Sequence, residues 1–373
     1  MRAVPSKVLL ASAALAFFAF SPAANAQAVD EFGVCHTCAA PYAQVALTPP
    51  AHFNPVTASD AQLDAYGFPP RPDPRKAPGA YAQWERVVTR PVTRIVPQLQ
   101  ATKIVNGPEK LATHGVPSAS GAVTGSTSGN WSGYVVSDNT DPFKAAKTYI
   151  FATFTVPVAQ QAFGKCSTAS VNSSEWVGID GSGSSDVLQA GIRADATCKS
   201  KKTTATYAVW YEWFPQNEID IKNFTIHPGD LLYVYVWNTS PTGGHYYIAD
   251  ETTGVASSLA FNAPSGTQLK GNSAEWIVER PSINGKEATL TNYVYQAWLA
   301  CHVLLANGTL YSPGDVHSGT SESLTMTDAG TNVSFADTTT NNVLSYQPPK
   351  GGSTYWPGTE LWFFDEGPAL SSK

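Results

Sequence analysis

The run Thr203-Thr204-Ala205-Thr206-Tyr207-Ala208-Val209-Trp210-Tyr211-Glu212-Trp213-Phe214 contains no glycine or proline and ends at Pro215. Its β-branched and aromatic residues suit a pleated, half-buried surface, on which successive side chains point to opposite faces. Runs of the same character span Thr148 to Val158, Leu231 to Thr239, Tyr246 to Asp250, Ala274 to Glu279 and Val333 to Ala336, separated by Gly, Pro, Asn and Ser clusters. No long amphipathic helix competes with them, and no repeat of fixed period points to a propeller. The pattern predicts an all-β fold, an antiparallel two-sheet β-sandwich. The 253 residues from Gly121 to Lys373 are ample for two large sheets around a shared core.

Outside this body the chain changes character. Residues 1–26 carry Arg2 and Lys7, an apolar run from Val8 to Phe20, and Ala24-Asn25-Ala26, the small-x-small pattern of a signal-peptidase site. The run is short for a bilayer, no later stretch of 18 apolar residues follows, and export to an extracellular or periplasmic space is the expectation. From Gln27 to Ser120 there are 13 prolines with 8 Lys+Arg against 7 Asp+Glu; from Gly121 onward there are 13 Lys+Arg against 22 Asp+Glu. A Pro-rich, mildly basic leader, a Gly/Ser/Thr hinge at Ser118 to Gly129 and a long acidic body read as a pro-segment (27–120) joined to a mature domain (121–373). Opposite charge can hold such a leader over an acidic cleft; composition alone leaves a plain spacer open as well.

Composition excludes several functions. With 14% charged residues, 11% aromatics and a formal net charge of -6, the chain resembles neither a disordered segment nor a nucleic-acid binder. There is no His-Glu-x-x-His, no Gly-x-Ser-x-Gly, no Gly-rich phosphate loop and no Asp-Thr-Gly or Asp-Ser-Gly. No metal or cofactor is expected. Of the five cysteines, Cys166 and Cys198 flank one stretch and are the preferred disulfide. Cys301 lies in an apolar run, and Cys35-His36-Thr37-Cys38 reads as a local disulfide of the leader.

What remains for activating water is a carboxylate with a polar partner, and three neighbourhoods offer one. In Val187-Leu188-Gln189-Ala190-Gly191, Gln189 shares a face with Val187 and Gly191. It either projects from an exposed sheet face or sits where Gly191 leaves room for a close approach. In Ala274-Glu275-Trp276-Ile277-Val278-Glu279, alternation puts Glu275, Ile277 and Glu279 on one face. The two carboxylates, roughly 13 Å apart at about 3.3 Å per residue, must each find a partner on another strand. In the Tyr207 to Pro215 stretch, Trp210, Glu212 and Phe214 share a face that suits a peptide- or sugar-binding cleft, or a core edge.

Five motifs in order, Asn130-Trp131-Ser132-Gly133, Trp176-Val177-Gly178-Ile179-Asp180-Gly181, Leu188-Gln189-Ala190-Gly191, Trp210-Tyr211-Glu212-Trp213 and Ala274-Glu275-Trp276-Ile277-Val278-Glu279, resemble those of the eqolisins, the secreted glutamic peptidases. The leader stretch Ala58 to Asp60 and Tyr66 to Pro72 is similar to their pro-segments. The resemblance implies a lectin/glucanase-like sandwich with its site on the concave face of one sheet. It also implies a catalytic dyad of Gln189 and Glu279, with Trp131, Trp176, Asp180, Glu212 and Glu275 lining or supporting the cleft. The expected activity is acid endopeptidase hydrolysis of polypeptides, without cofactor, by a monomer made as a zymogen whose own pro-segment is an intramolecular inhibitor. No nucleic-acid or membrane partner is expected. Ala208-Val209 departs from the Asp-Ala of fungal members, and Phe214 stands where a Tyr is expected, so a cleft carboxylate and a hydroxyl are missing. The competing reading is a carbohydrate-binding or glycoside-hydrolase β-sandwich. Its two carboxylates must face each other at roughly 5–9.5 Å, which only cross-strand pairs such as Glu212 and Glu279 can provide.

Overall fold

A computed structural model describes residues 44–45, 49–113, 124–162, 164–314, 320–328, 331–339 and 359–365. The signal-peptide reading, the Cys35/Cys38 pair and the first half of the hinge lie outside them.

In chain order the elements that matter for the site are helices α1 (Asp60–Ala65) and α2 (Pro78–Val88), then strands β1 (Leu99–Ala101), β2 (Trp131–Ser137), β3 (Tyr149–Thr155), β4 (Val171–Ile179), β5 (Val187–Lys199), β6 (Lys202–Phe214), β7 (Ile219–Ile221), β8 (Leu231–Ser240), β9 (Gly243–Asp250), β10 (Val255–Asn262), β11 (Ser273–Glu279), β12 (Tyr295–Leu304), β13 (Thr320–Asp328), β14 (Thr331–Thr339) and β15 (Thr359–Asp365). The front layer runs β13-β2-β11-β4-β5-β6-β7-β1, antiparallel throughout. The back layer runs β10-β9-β8-β3-β12-β15, also antiparallel. β14 joins them at one edge, pairing with β13 on one side and β15 on the other.

Alternation sorts each strand's residues. Leu188, Ala190 and Ile192 of β5, Val209, Tyr211 and Trp213 of β6, and Trp276 and Val278 of β11 point between the layers. There they meet Ile150, Phe154, Val234, Ile248 and Val303 of the back layer. Burying each such side chain contributes roughly 1.5–3 kcal/mol. The opposite face of the front layer carries Trp131, Trp176, Val187, Trp210 and Ile277, a second apolar cluster that forms the cleft floor. Cys166 and Cys198 are joined by a disulfide that closes the loop ahead of β4 onto the end of β5. Cys301 is buried in the core between the layers.

The described residues of the leader touch both faces of the body. Ser59 caps α1, with its hydroxyl accepting from the Gln62 N–H and the Gln62 side chain accepting from the Ser59 N–H, a reciprocal capping box that satisfies two otherwise orphaned amides. Leu63, Phe68, Trp84 and Val88 form a small core of their own. Arg71 donates to the carbonyls of Pro55 and Ala58 and stacks over Trp84. One side of α2, with Ala80 and Val87, packs on the outer face of the back layer against an aromatic cluster that includes Phe151, Tyr233, Tyr235 and Tyr247. Beside this apolar contact, Arg90 pairs with Glu251, and Lys147 lies 3.4 Å from Asp60 of α1. The chain then crosses to the front, where β1 adds to β7 and Ile104–Val105 pairs with Ser282–Ile283. Among the described residues no helix is long and apolar enough to cross a membrane.

Candidate active site

The strand registers bring Gln189, Glu212, Glu275 and Glu279 to one face of the front layer. Gln189 on β5 pairs with Glu212 on β6 and with Gly178 on β4, and Gly178 in turn pairs with Glu275 on β11. Glu279, at the end of β11, faces Ser174 and Trp131. All four side chains are essentially inaccessible to solvent, which excludes the exposed-face reading of Gln189. Gly178 is required beside the glutamine, because a Cβ there would stand 3.1 Å from the Gln189 Cβ and 2.8 Å from the Trp176 ring. Gly191 has a different purpose from the one its sequence suggests. A Cβ at this position would lie 2.0 Å from the Glu175 carbonyl oxygen and 2.8 Å from the Trp176 Cα, so the close approach is that of β4 itself. Gly191→Ala is accordingly expected to cost about 3 kcal/mol or more in denaturant unfolding, since backbone must move to admit the methyl. An unchanged unfolding midpoint would contradict this packing.

The leader runs through the cleft. Gln189 Nε2 donates to the Asn106 carbonyl oxygen at 2.5 Å, and the N–H of the next residue, Gly107, donates to Glu279 Oε1 at 3.2 Å. Glu279 Oε1 also accepts from Asn130 Nδ2 at 3.2 Å, and its Oε2 accepts from Trp176 Nε1 at 3.0 Å. Trp131 stands edge-on to Trp176, with ring centroids 5.0 Å apart, and its Nε1 donates to the Gly107 carbonyl at 3.2 Å. On either side the segment is held by backbone bonds from Glu218 to Ile104 and from Glu109 to Gly181. Burial pushes the Glu279 carboxyl up to about 8, against the opposing pull of its donors Asn130, Trp176 and Gly107.

The Asn106 side chain fills a closed pocket. Its Nδ2 donates to Glu212 Oε2 at 3.1 Å and to Glu218 Oε2 at 2.9 Å, while its backbone N–H donates to Glu212 Oε2 at 3.0 Å. Arg193 reaches Glu218 and pairs with Asp195 at 2.9 Å and Asp220 at 3.1 Å, fixing the outer wall. Burial raises Glu212 well above the usual carboxylate range, and the neighbouring Glu279 charge adds to the rise.

Two of the expected residues lie apart from Gln189 and Glu279. Asp180, whose carboxyl is raised by burial, accepts from the backbone N–H groups of Gly271 and Asn272, tethering the chain just ahead of β11. Glu275 is fully buried, set apart from Gln189 by Gly178 of the intervening strand, and desolvation raises its carboxyl well above its ordinary value. Sequence reasoning did not reach Asn106, Gly107, Asn130, Glu218 or Arg193 as site residues. Asn130 opens the first of the five motifs, and Asn106-Gly107 is a common turn dipeptide. Neither Glu218 nor Arg193 carries a signal before the strands are paired.

The arrangement can polarise a carbonyl with an amide N–H while a carboxyl stands at the nitrogen of the same peptide bond. Residues 129–347 match the model of the Peptidase A4 family, extending beyond Arg280, where the motif resemblance ends. Aspergillopepsin-2 of Aspergillus niger is 36% identical over 107 residues, 28% of this chain and 36% of that protein. Scytalidopepsin B of Scytalidium lignicola is 35% identical over 130 residues, 35% of this chain and 45% of that protein. The chain thus spans less than half the length of each of these curated relatives. The crystal structure of scytalido-glutamic peptidase with a peptide-based transition-state analogue overlays with a TM-score of 0.46 at 24% identity, covering 64% of this chain and 98% of that one. With the family model matching more than half of its length, and its five motifs converging on one cleft, the chain belongs to the Peptidase A4 family, the glutamic peptidases.

Proposed function

We propose that this protein is an exported, acid-active endopeptidase that hydrolyses polypeptides with Gln189 and Glu279, and that its leader holds it as a zymogen. One observation carries the reading: a peptide bond of the leader lies across the dyad with its carbonyl on Gln189 and its N–H on Glu279. In the reaction, Glu279 takes a proton from water as the oxygen adds to the carbonyl carbon, then delivers it to the departing amine. The Gln189 amide N–H strengthens its bond as charge develops on the oxygen. Trp131 and Asn130 position the substrate backbone and the carboxyl, respectively.

The zymogen state has two supports. The leader fills the cleft and excludes water from the dyad, and this burial pushes the Glu279 carboxyl up to about 8. Displacement rehydrates the carboxyl and returns it toward its ordinary range of roughly 4.3, where it can serve as a base in mild acid. The ion pairs Lys110–Glu287 and Arg90–Glu251 between leader and body lose their acidic partners as pH falls. A cleft occupied by a peptide favours this reading over a glycan site.

Hydrolysis of an acid-unfolded protein between pH 2 and 7, with a chelator and a pepstatin-type inhibitor present, tests it. Activity confined to acid, indifferent to both inhibitors and absent from Glu279→Gln is the expected result. A full-length chain equally active at neutral pH with its leader intact would exclude the zymogen, and glycan hydrolysis without proteolysis would favour the alternative.

A further inference from the structure

The contact pattern in the cleft goes further than occlusion. A blocking peptide need only fill space, yet Asn106 and Gly107 occupy the dyad in the register of a substrate. The carbonyl to be attacked lies on the oxyanion donor, and the nitrogen that would leave lies on the carboxyl that would protonate it. The side chain preceding that bond is fully enclosed, with its amide between two carboxylates. Such a wall offers acceptors and asks for a donor. An aliphatic side chain of the same size would leave Glu212 and Glu218 buried opposite carbon, and an aspartate could donate to at most one of the two. Sites that hydrogen-bond one substrate group discriminate far more steeply than apolar pockets do.

We propose that Asn106–Gly107 is the first bond this enzyme cuts in its own chain, and that Glu212 and Glu218 make it select substrates with an asparagine on the carbonyl side of the scissile bond. The proposal rests on the peptidase reading above. The cut consumes one water: Glu279, ionised once water has entered, takes one of its protons as the water oxygen bonds to the Asn106 carbonyl carbon, the bond to the Gly107 nitrogen then breaks, and that same proton passes to the nitrogen. The products are an Asn106 carboxyl and a Gly107 amine. The water that enters between Glu279 and the carbonyl carbon is also what rehydrates the carboxyl, so opening and cleavage are coupled. The step is intramolecular, and its rate is independent of protein concentration. It falls within the leader, ahead of the Ser118 to Gly129 hinge.

The purified full-length chain is shifted to acid and followed by intact-mass and N-terminal analysis, alongside Glu279→Gln. Asparagine-glycine bonds also react spontaneously through a succinimide, and the inactive variant separates that chemistry from catalysis. The expected result is a new terminus at Gly107, appearing with first-order kinetics in the wild type and absent from Glu279→Gln. The activated enzyme is then given peptide pairs that differ only in Asn or Leu before the cleaved bond. A preference for Asn of about 10² or more in kcat/KM is expected, reduced at least tenfold in Glu218→Gln. Activation through a cut elsewhere with Asn106–Gly107 intact, or equal rates on the two peptides, overturns this inference and leaves the peptidase reading standing. If neither the chain itself nor an added unfolded protein is cut, the peptidase reading is what fails.

Discussion

Glu279→Gln is expected to lower kcat/KM for an acid-unfolded protein by about 10⁴, the upper end of what a positioned proton-transfer group supplies, because one carboxyl serves first as base and then as acid. The substitution keeps the size and one accepting oxygen but sets an NH2 against the Asn130 or the Trp176 donor, so the folded cleft should persist with a modestly lower unfolding midpoint. Gln189→Ala removes one oxyanion donor and is expected to cost about 10²–10³, mostly in kcat. Gln189→Glu separates donor chemistry from shape. Its carboxyl donates only while protonated, so activity should survive at the acid end and collapse as pH rises through the carboxylate range, narrowing the pH profile. A Gln189→Glu profile that keeps the wild-type shape would remove the amide N–H from the mechanism.

The second large effect concerns stability. Glu175 sits on β4 one residue from Trp176 and therefore faces the opposite way, into the interior between the layers. There it accepts from the Ser173 hydroxyl at 2.8 Å and from Gln296 Nε2 at 3.1 Å. Burial pushes its carboxyl from 4.5 up to about 8. Its contribution is fully present below the unfolded value, because both states are then protonated, and is lost as pH rises through about 8. Between those limits the unfolded chain releases a proton that the folded chain keeps. At about 1.4 kcal/mol per pKa unit this one group removes roughly 5 kcal/mol between mild acid and pH 8. Asp186 and Glu109, both pushed by burial to about 7, act in the same direction. His245 and His302, held down near 3 and 4 by burial, oppose it by disfavouring acid, but the raised carboxyls outnumber them. Thermal unfolding should therefore show a lower Tm at pH 8 than at pH 4.5. Glu175→Gln, an isostere of the protonated acid, should recover a large part of the difference at pH 8 while changing little at pH 4.5. Equal pH dependence in variant and wild type would place the acid preference elsewhere.

Much of the site is legible in the sequence. Alternation alone puts Glu275, Ile277 and Glu279 on one face and Trp276 and Val278 on the other. It likewise groups Trp210 with Glu212, and the structure sorts them the same way between cleft and core. Those rules are local, since the pleat has a period of two whatever the strand's neighbours. Pairing across strands is not local, which is why the partnership of Arg193, Glu218 and Asp220 emerges only with the sheet order. The route of the leader is illegible for a further reason. Charge bias points to an electrostatic cover, and ion pairs such as Arg90–Glu251 and Lys110–Glu287 do join leader and body, but the contacts at the dyad are made by a neutral Asn-Gly peptide and α2 adds aromatic packing on the back layer. Backbone amides and apolar faces leave no trace in a charge count.

A cut at Asn106 would not by itself release the helical part of the leader. Residues 50–90 are moored far from the dyad, through α2 on the aromatic back layer, the Ser258 hydroxyl bonded to the Gly67 carbonyl, and the Phe68 ring stacked on Tyr247 with centroids 6.5 Å apart. None of these bonds involves the severed peptide. A nicked molecule would therefore remain a non-covalent assembly of two polypeptides from one gene. The smaller would shield aromatic surface that would otherwise invite aggregation, and an enzyme purified after activation would travel with its own former N-terminal domain.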